Sequence, residues 1–425
     1  MKVLMFGWEF PPHITGGLGT ACYGMTKSLS RKNVETIFVV PKVYGDEDKD
    51  AARIIGADGY QVSEQILDKE FREKVLKISI DSNLIPYVYP DGPVFTEQQD
   101  LEVKLNAIRD QASSFHFSGT YGANLYEEVN RFAFIAGIIG AEYKFDVIHA
   151  HDWLTFQAGV AAKHISGKPL IVHVHATEFD RSGENVNKHV FSIEKLGMTE
   201  ADMVVCVSNL TRNIVISRYG INPKKVKVVH NGVDFKPSKL SMVEKQKTVP
   251  EKVVTFMGRI TYQKGPDYFV EAAYKILERT SNVRFVMAGD GDMLKHCIMR
   301  VGKLRMGDKF HFTGFLKGSD VERMLANTDV FVMPSVSEPF GIAPLEAMRS
   351  KVPVIISKQS GVSEVLDYAL KIDFWDVDAL ADAIYGLVTY PALSQLLKQE
   401  GYLEASDLKW DKVADNLIRC YKALV

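Results

Sequence analysis

The sequence predicts an α/β protein made of two parallel-sheet halves that face a cleft. Three observations predict it. At 425 residues the chain is long for one hydrophobic core. Short apolar runs alternate throughout with longer segments of helical period. A polar stretch, Lys239 to Lys252, splits that alternation in two and reads as a linker.

In the first half, Lys2–Phe6, Thr36–Val40, Asp146–Ala150, Leu170–Val174, Met203–Val207 and Val226–His230 read as strands. Leu18–Lys32, Asn124–Tyr143, Thr155–Ser166 and Asn209–Tyr219 read as the helices between them, and Glu97–Ser113 as a helix in an insertion. In the second half the expected strands are Val253–Met257, Val283–Ala288, Lys309–Thr313, Asp329–Met333 and Val354–Ile356. The helices there are Pro266–Thr280, Met293–Lys303, Ser319–Ala326 and Ile342–Ser350. Strands alternating with helices are the grammar of a parallel sheet wrapped on both faces. Ligands of such sheets bind beyond the carboxyl ends of the strands, so residues just after strands are the candidates.

Composition narrows the function. The charged fraction of 24% and apolar fraction of 46% are ordinary for a globular protein. A net charge of −2 provides no broad basic face, so nucleic acid is not an expected partner. Cys22, Cys206, Cys297 and Cys420 are scattered without CxxC spacing, which argues against a zinc ribbon or a disulfide framework and fits a reducing compartment. The apolar run at the N-terminus is too short for a signal peptide. No stretch approaches the roughly 20 apolar residues of a membrane span. A cytoplasmic location without an integral membrane segment is expected.

Six constellations follow strands. After the first comes Glu9-Phe10-Pro11-Pro12-His13-Ile14-Thr15-Gly16-Gly17-Leu18-Gly19-Thr20. Gly16 and Gly17 open a helix, where absent Cβ atoms and freedom to take positive φ let backbone amides approach a phosphate. Most glycine-rich turns are only turns, and position raises the odds here. Val147-Ile148-His149-Ala150-His151-Asp152-Trp153 ends a strand in two histidines, an acid and an aromatic ring. His173 and His175 form a second such pair, continuing through Ala176-Thr177-Glu178-Phe179-Asp180-Arg181. Four histidines admit a zinc reading, but no intervening Glu has catalytic metal spacing, so no metal is expected.

In the second half, Gly258-Arg259-Ile260-Thr261-Tyr262-Gln263-Lys264-Gly265 places two cations in one strand-to-helix loop. The bland reading is a solvated basic loop; the functional one is a pair straddling a diphosphate. Ser337-Glu338-Pro339-Phe340-Gly341-Ile342-Ala343-Pro344-Leu345-Glu346 carries two carboxylates eight positions apart around a predicted helix start. The amides of Gly341, Ile342 and Ala343 suit a phosphate, and the carboxylates suit sugar and ribose hydroxyls. The Asp290-x-Asp292 pair within Ala288-Gly289-Asp290-Gly291-Asp292 reads as a glycine turn near a nucleotide rather than as a metal site.

Together these strings resemble retaining glycosyltransferases of the GT-B architecture, two Rossmann-like domains with parallel sheets facing a cleft, and within them the glycogen and starch synthases. The resemblance spans essentially the whole chain. It implies an N-terminal acceptor-side domain at 1–240, a nucleotide-sugar domain at 241–408, and a final helix at 409–425 crossing back to the first domain. It implies catalytic roles for His151, under the donor sugar, and for Arg259, Lys264 and Glu338 at the diphosphate end. Donor contacts are implied for Gly16, Gly17, Asn231 (in His230-Asn231-Gly232-Val233-Asp234), Gly289, Gly341, Ile342, Ala343 and Glu346. Sugar or acceptor contacts are carried to Glu127, Asp152, Trp153, His175 and Asp180. Ile14 stands where those synthases have a lysine, so one phosphate-facing cation is missing.

The implied reaction moves a hexose from a nucleoside-diphosphate sugar, UDP- or ADP-glucose, to a glucan 4-hydroxyl, with no cofactor and no required metal. The partners are then the sugar nucleotide and an α-glucan or other carbohydrate; a homo-oligomer stays open. Alternatives are a hexosyltransferase for cell-surface polysaccharide or lipopolysaccharide, a non-catalytic glycan-binding module, and a sugar-nucleotide epimerase.

Overall fold

A computed structural model describes residues 1–13, 16–62, 101–233 and 249–425. Ile14, Asp234, the start of the Glu97–Ser113 helix, most of the expected linker and the expected 240/241 boundary lie outside the described residues.

The first sheet has seven strands, β1 (Lys2–Phe6), β2 (Glu35–Val40), β3 (Arg53–Gly56), β4 (Val147–His151), β5 (Leu170–Val174), β6 (Met203–Cys206) and β7 (Val226–Val228), in the order β3-β2-β1-β4-β5-β6-β7. The second has six, β8 (Lys252–Met257), β9 (Val283–Ala288), β10 (Phe310–Gly314), β11 (Val330–Met333), β12 (Val354–Ser357) and β13 (Leu370–Ile372), in the order β10-β9-β8-β11-β12-β13. All pairings are parallel. These are two Rossmann-like domains, as expected. In each, the chain starts mid-sheet and the strand order reverses, between β1 and β4 and between β8 and β11. The crevice at that reversal is where such sheets hold ligands.

Burial on both faces explains why the central strands read as continuous apolar runs; every residue of β4 and β5 is buried. Helices Leu125–Glu142 and Trp153–Ser166 cover one face of the first sheet. Helix Gly17–Arg31 and the last helix, Trp410–Lys422, cover the other. These two meet at Gly24, where a Cβ would lie 2.3 Å from the Trp410 ring. Arg31–Asp411 at 2.8 Å and Lys32–Asp415 at 2.7 Å flank the contact. The final helix thus packs on the first sheet and on helix Gly17–Arg31.

Among the described residues, six strands and α-helices are additional to the sequence reading: β3, β13 and helices Glu178–Ser182, Lys188–Glu200, Val377–Thr389 and Pro391–Asp407. The two strands have four and three residues, too few to show a period. Helix Pro391–Asp407 buries Ser394, Leu397, Gly401 and Ala405. That stripe has helical spacing but is too small and polar to read as apolar.

Candidate active site

In the second domain, the loops after β8 and β11 are locked together. Gly265 has φ +66, and a Cβ on it would lie 2.1 Å from the Pro334 carbonyl oxygen. The amides of Val336 and Ser337 donate to the Gln263 carbonyl at 2.9 and 3.4 Å. Lys264 Nζ pairs with the buried carboxylate of Glu338. Arg259 is exposed and makes no ion pair among the described residues. Gly341, at φ +99, turns the chain into helix Ala343–Arg349, a conformation that only glycine takes without strain. Glu346 lies in the first turn, half-buried; burial pushes its carboxyl up, with Arg349 pulling the other way.

One expected donor contact changes character. Gly289 (φ +144) already gives its amide to the Gly314 carbonyl at 2.9 Å, and a Cβ there would lie 1.9 Å from the Gly258 carbonyl oxygen. Its lack of a side chain lets two loops cross; its amide is committed. Gly361 likewise gives its amide to the Glu338 carbonyl at 2.8 Å.

Four imidazoles gather at the ends of β4 and β5, three of them fully buried. His149 and His151 end β4, His173 and His175 end β5 and follow it, and the register pairs His151 with His173. Alternation puts all four on one face. The rings form a ladder: His149–His151 and His173–His175 centroids are both 4.3 Å apart. His151 Nδ1 meets His175 Nε2 at 3.0 Å, and His149 Nε2 meets His173 Nδ1 at 3.2 Å. His149 Nδ1 meets the Tyr421 hydroxyl at 2.8 Å, so the final helix reaches the ladder. His151 Nε2 and His173 Nε2 are buried without partners. Burial first, then the neighbouring imidazoles, holds His149, His151 and His173 well below the usual histidine range; burial lowers His175 too. The ladder is neutral, and His175, half-buried, is its outermost ring.

The remaining candidates divide. Gly16 and Gly17 are not at positive φ, contrary to the expectation; Gly16 is extended, and nothing lies within 4 Å of a Cβ built on either. Their use is open space before the helix. The amide of Gly19 instead donates to Glu9 Oε1 at 3.2 Å. Asp152 (φ +59) accepts the amides of His175 and Ala176 at 2.7 and 3.2 Å. It fixes the end of β5 and is less a sugar ligand than expected. Asp180 is corrected more strongly. It is buried, Oδ2 accepts from Thr177 N and Oγ1 at 2.7 and 2.8 Å, and Oδ1 accepts from Ser337 Oγ at 2.6 Å. With both oxygens engaged it bridges the domains rather than binding sugar. Trp153 is buried against Tyr126, with 5.8 Å between ring centroids, and offers no open stacking face. Glu127 pairs with Arg131 one turn on along its helix. Asn231 is buried with Oδ1 unpartnered, beside Gly232, which packs against the Lys409–Trp410 backbone.

More contacts cross between domains. Glu364 Oε1 and Oε2 accept the amides of Leu210 and Asn209 at 2.8 and 2.9 Å, capping helix Asn209–Tyr219, and Oε2 meets His230 Nε2 at 3.0 Å. Ser337 and Glu364 carried no role in the sequence reading. A serine and a surface acid give no local signal when their partners lie 157 and 155 positions away.

Residues 239–404 match the family model for group 1 glycosyl transferases, and residues 94–236 match that for glycosyltransferase family 4. A glycosyltransferase of Methanocaldococcus jannaschii is 30% identical over 99% of this chain and 98% of its own length. The chain belongs to the group 1 glycosyltransferases. This transferase is also 23% identical to a Mycobacterium tuberculosis glycogen synthase, over 100% of the chain and 95% of the relative. An Escherichia coli enzyme named UDP-Gal:alpha-D-GlcNAc-diphosphoundecaprenol alpha-1,3-galactosyltransferase is 30% identical over 57% of the chain and 66% of its own. Among solved structures, sucrose-phosphate synthase from Thermosynechococcus elongatus superposes with TM-score 0.71 at 16% identity, covering 100% and 98% of the two chains. Anabaena HepE, crystallised with UDP-glucose, gives 0.68 at 18%, covering 100% of both. These structural likenesses establish the GT-B fold. No helix among the described residues is long and apolar enough to cross a membrane.

Proposed function

We propose that this glycosyltransferase moves a glucosyl unit from UDP- or ADP-glucose to the 4-hydroxyl of an α-glucan, with retention at the anomeric carbon. The observation that carries the reading is the locked pair of loops at the β8/β11 crevice. It sets Lys264 against Glu338 and leaves Arg259 exposed beside them. Cations held in place before the reaction stabilise charge that develops on a leaving diphosphate. The sugar C1–O bond to the β-phosphate breaks, a C1–O bond to the acceptor forms, and the leaving phosphate takes the acceptor's proton. The resemblance carries His151 to the donor sugar and Glu346 to the ribose; His151 is fully buried here, so contact with the sugar requires the outer ring, His175, to move aside. Asp180–Ser337 ties the first domain to the residue next to Glu338, so closure and assembly of the diphosphate end are one event.

The glycogen synthase relative, aligned over the whole chain, favours glucan as acceptor. The lipid-linked galactosyltransferase relative favours a second reading, a hexosyltransferase for a cell-surface glycan. A donor-by-acceptor matrix separates them. UDP-, ADP- and GDP-sugars are tested against glycogen, maltooligosaccharides, hexose phosphates and lipid-linked sugars. Lengthened glycogen supports the first reading; product only with lipid-linked acceptors supports the second. UDP-N-acetylglucosamine converted without acceptor would identify an epimerase instead. EDTA is expected to leave transfer intact; loss restored by magnesium would overturn the metal-independent mechanism.

A further inference from the structure

The geometry points to a site for a thiophilic divalent cation, of which zinc is the type, formed by Cys22, His151 and His175 beside the ends of β4 and β5. Cys22 Sγ and one ring nitrogen from each histidine lie within 4.8 Å of one another. A tetrahedral zinc with Zn–S about 2.3 Å and Zn–N about 2.0–2.1 Å separates its ligand atoms by about 3.3–3.7 Å. The two imidazoles are already at 3.0 Å, Nδ1 to Nε2, so the thiol has the largest distance to close. Thiolate and imidazole are both zinc donors, and three protein ligands leave a fourth position for water or a ligand.

Charge and support both favour a cation there. Asp152 and Glu9 are near enough for their carboxylates to act on Cys22. Asp152 also holds the His175 and Ala176 amides, fixing the backbone that carries one ligand, an outer-shell arrangement typical of metal sites. His151 Nδ1 has a single contact, to His175 Nε2, so ligation through that nitrogen exchanges one imidazole contact for a metal bond.

A neighbouring trio, His149, His151 and His173, has comparable spacing but is a poorer site. His149 has both nitrogens engaged, with Tyr421 and His173, and all three rings are fully buried. The Cys22 trio instead includes half-buried His175, which leaves an approach from the cleft. Binding replaces the Cys22 thiol proton, which passes to solvent as the sulfur–metal bond forms. Binding at this site stands on geometry alone. Its consequence rests on the proposed function: an ion drawing on His151 takes it from the donor sugar, so zinc inhibits an enzyme that needs no metal.

Cobalt(II) titrated into EDTA-treated, dialysed full-length protein tests the site without turnover. One equivalent is expected to bind with a thiolate-to-cobalt charge-transfer band in the near ultraviolet. Cys22→Ser abolishes the band and weakens binding at least tenfold; His175→Gln weakens it similarly; Cys297→Ser leaves both unchanged. A band that survives Cys22→Ser, or no cobalt uptake by folded wild type, overturns the site. If Cys22→Ser does not fold, His175→Gln decides, with binding equal to wild type overturning it. Zinc inhibition of transfer that is undiminished in His175→Gln overturns the inhibitory role, and cobalt binding in a protein without transferase activity shows the site standing while the proposed reaction fails.

Discussion

The strand ends of the first domain carry four stacked, neutral imidazoles, while beyond those of the second lie Arg259, Lys264 and Glu338 in loops and Glu346 in the first turn of a helix. The second set flanks the crevice where strand order reverses, between β8 and β11; the imidazoles lie beside the matching crevice, on β4 and its outer neighbour β5. The difference is depth. His149, His151 and His173 lie in the sheet itself, covered by helices Gly17–Arg31 and Trp410–Lys422, and burial there suppresses charge. Arg259 and Lys264 lie in the loop past the end of β8, Arg259 exposed to water and Lys264 paired with Glu338. One face of the cleft is thereby suited to an uncharged sugar and the other to an anion.

The largest effect should come from acid acting on the ladder. His149 and His173 titrate near pH 6.5 when unfolded but well below it when folded, so the unfolded chain binds protons that the native one excludes. Their contribution is complete above pH 6.5 and declines as pH falls, by about 1.4 kcal/mol per unit for each ring. Chemical denaturation in EDTA between pH 7 and 5 should show it, and His149→Gln should shallow the slope; a flat profile would mean the rings titrate alike in the folded and unfolded chain.

Removing the opposite face's charge comes next. Lys264→Ala or Arg259→Ala is expected to lower kcat by about 10²- to 10³-fold, on the order of 3 kcal/mol in barrier. Turnover within a few-fold of wild type, in a variant that melts normally, removes the cations from the mechanism.

A third test uses an acid within the imidazole domain. Glu194 is buried and pushed up to about 7 by that burial, because its one cation, Arg181, also serves Asp152 and Glu178. Its carboxyl keeps a proton that the unfolded chain releases near pH 4.5, so it costs stability as pH rises from about 4.5 to 7, roughly 3 kcal/mol at most. Glu194→Gln should flatten that opposing slope; a variant with unchanged pH dependence would show Arg181 alone keeping the carboxylate charged.

The smallest effect is expected at the bridge. Ser337→Ala removes one hydrogen bond to Asp180 and should cost about 1–2 kcal/mol, read as a rise in KM for donor more than a fall in kcat. A pure fall in kcat would relocate Ser337 to the chemistry.

The order of elements and the loops that line the cleft were legible because they depend on local signals. The unbroken run Leu170–Val174 marks a doubly buried strand, and Gly341 and Gly265 mark turns that other residues strain to make. The sequence by itself determined two parallel sheets and which strand ends meet the crevice, since short right-handed crossovers leave few other arrangements. Only the tertiary structure decided which side chains meet. Tyr421 reaches His149 across 272 positions, Ser337 reaches Asp180 across 157, and Cys22 joins two histidines from other strands. Such contacts are sums of register, helix rotation and domain approach, and no periodicity within one segment encodes a sum over several. Asp180 shows the consequence: its place after a strand marked it for sugar, and packing gave both its oxygens to protein instead.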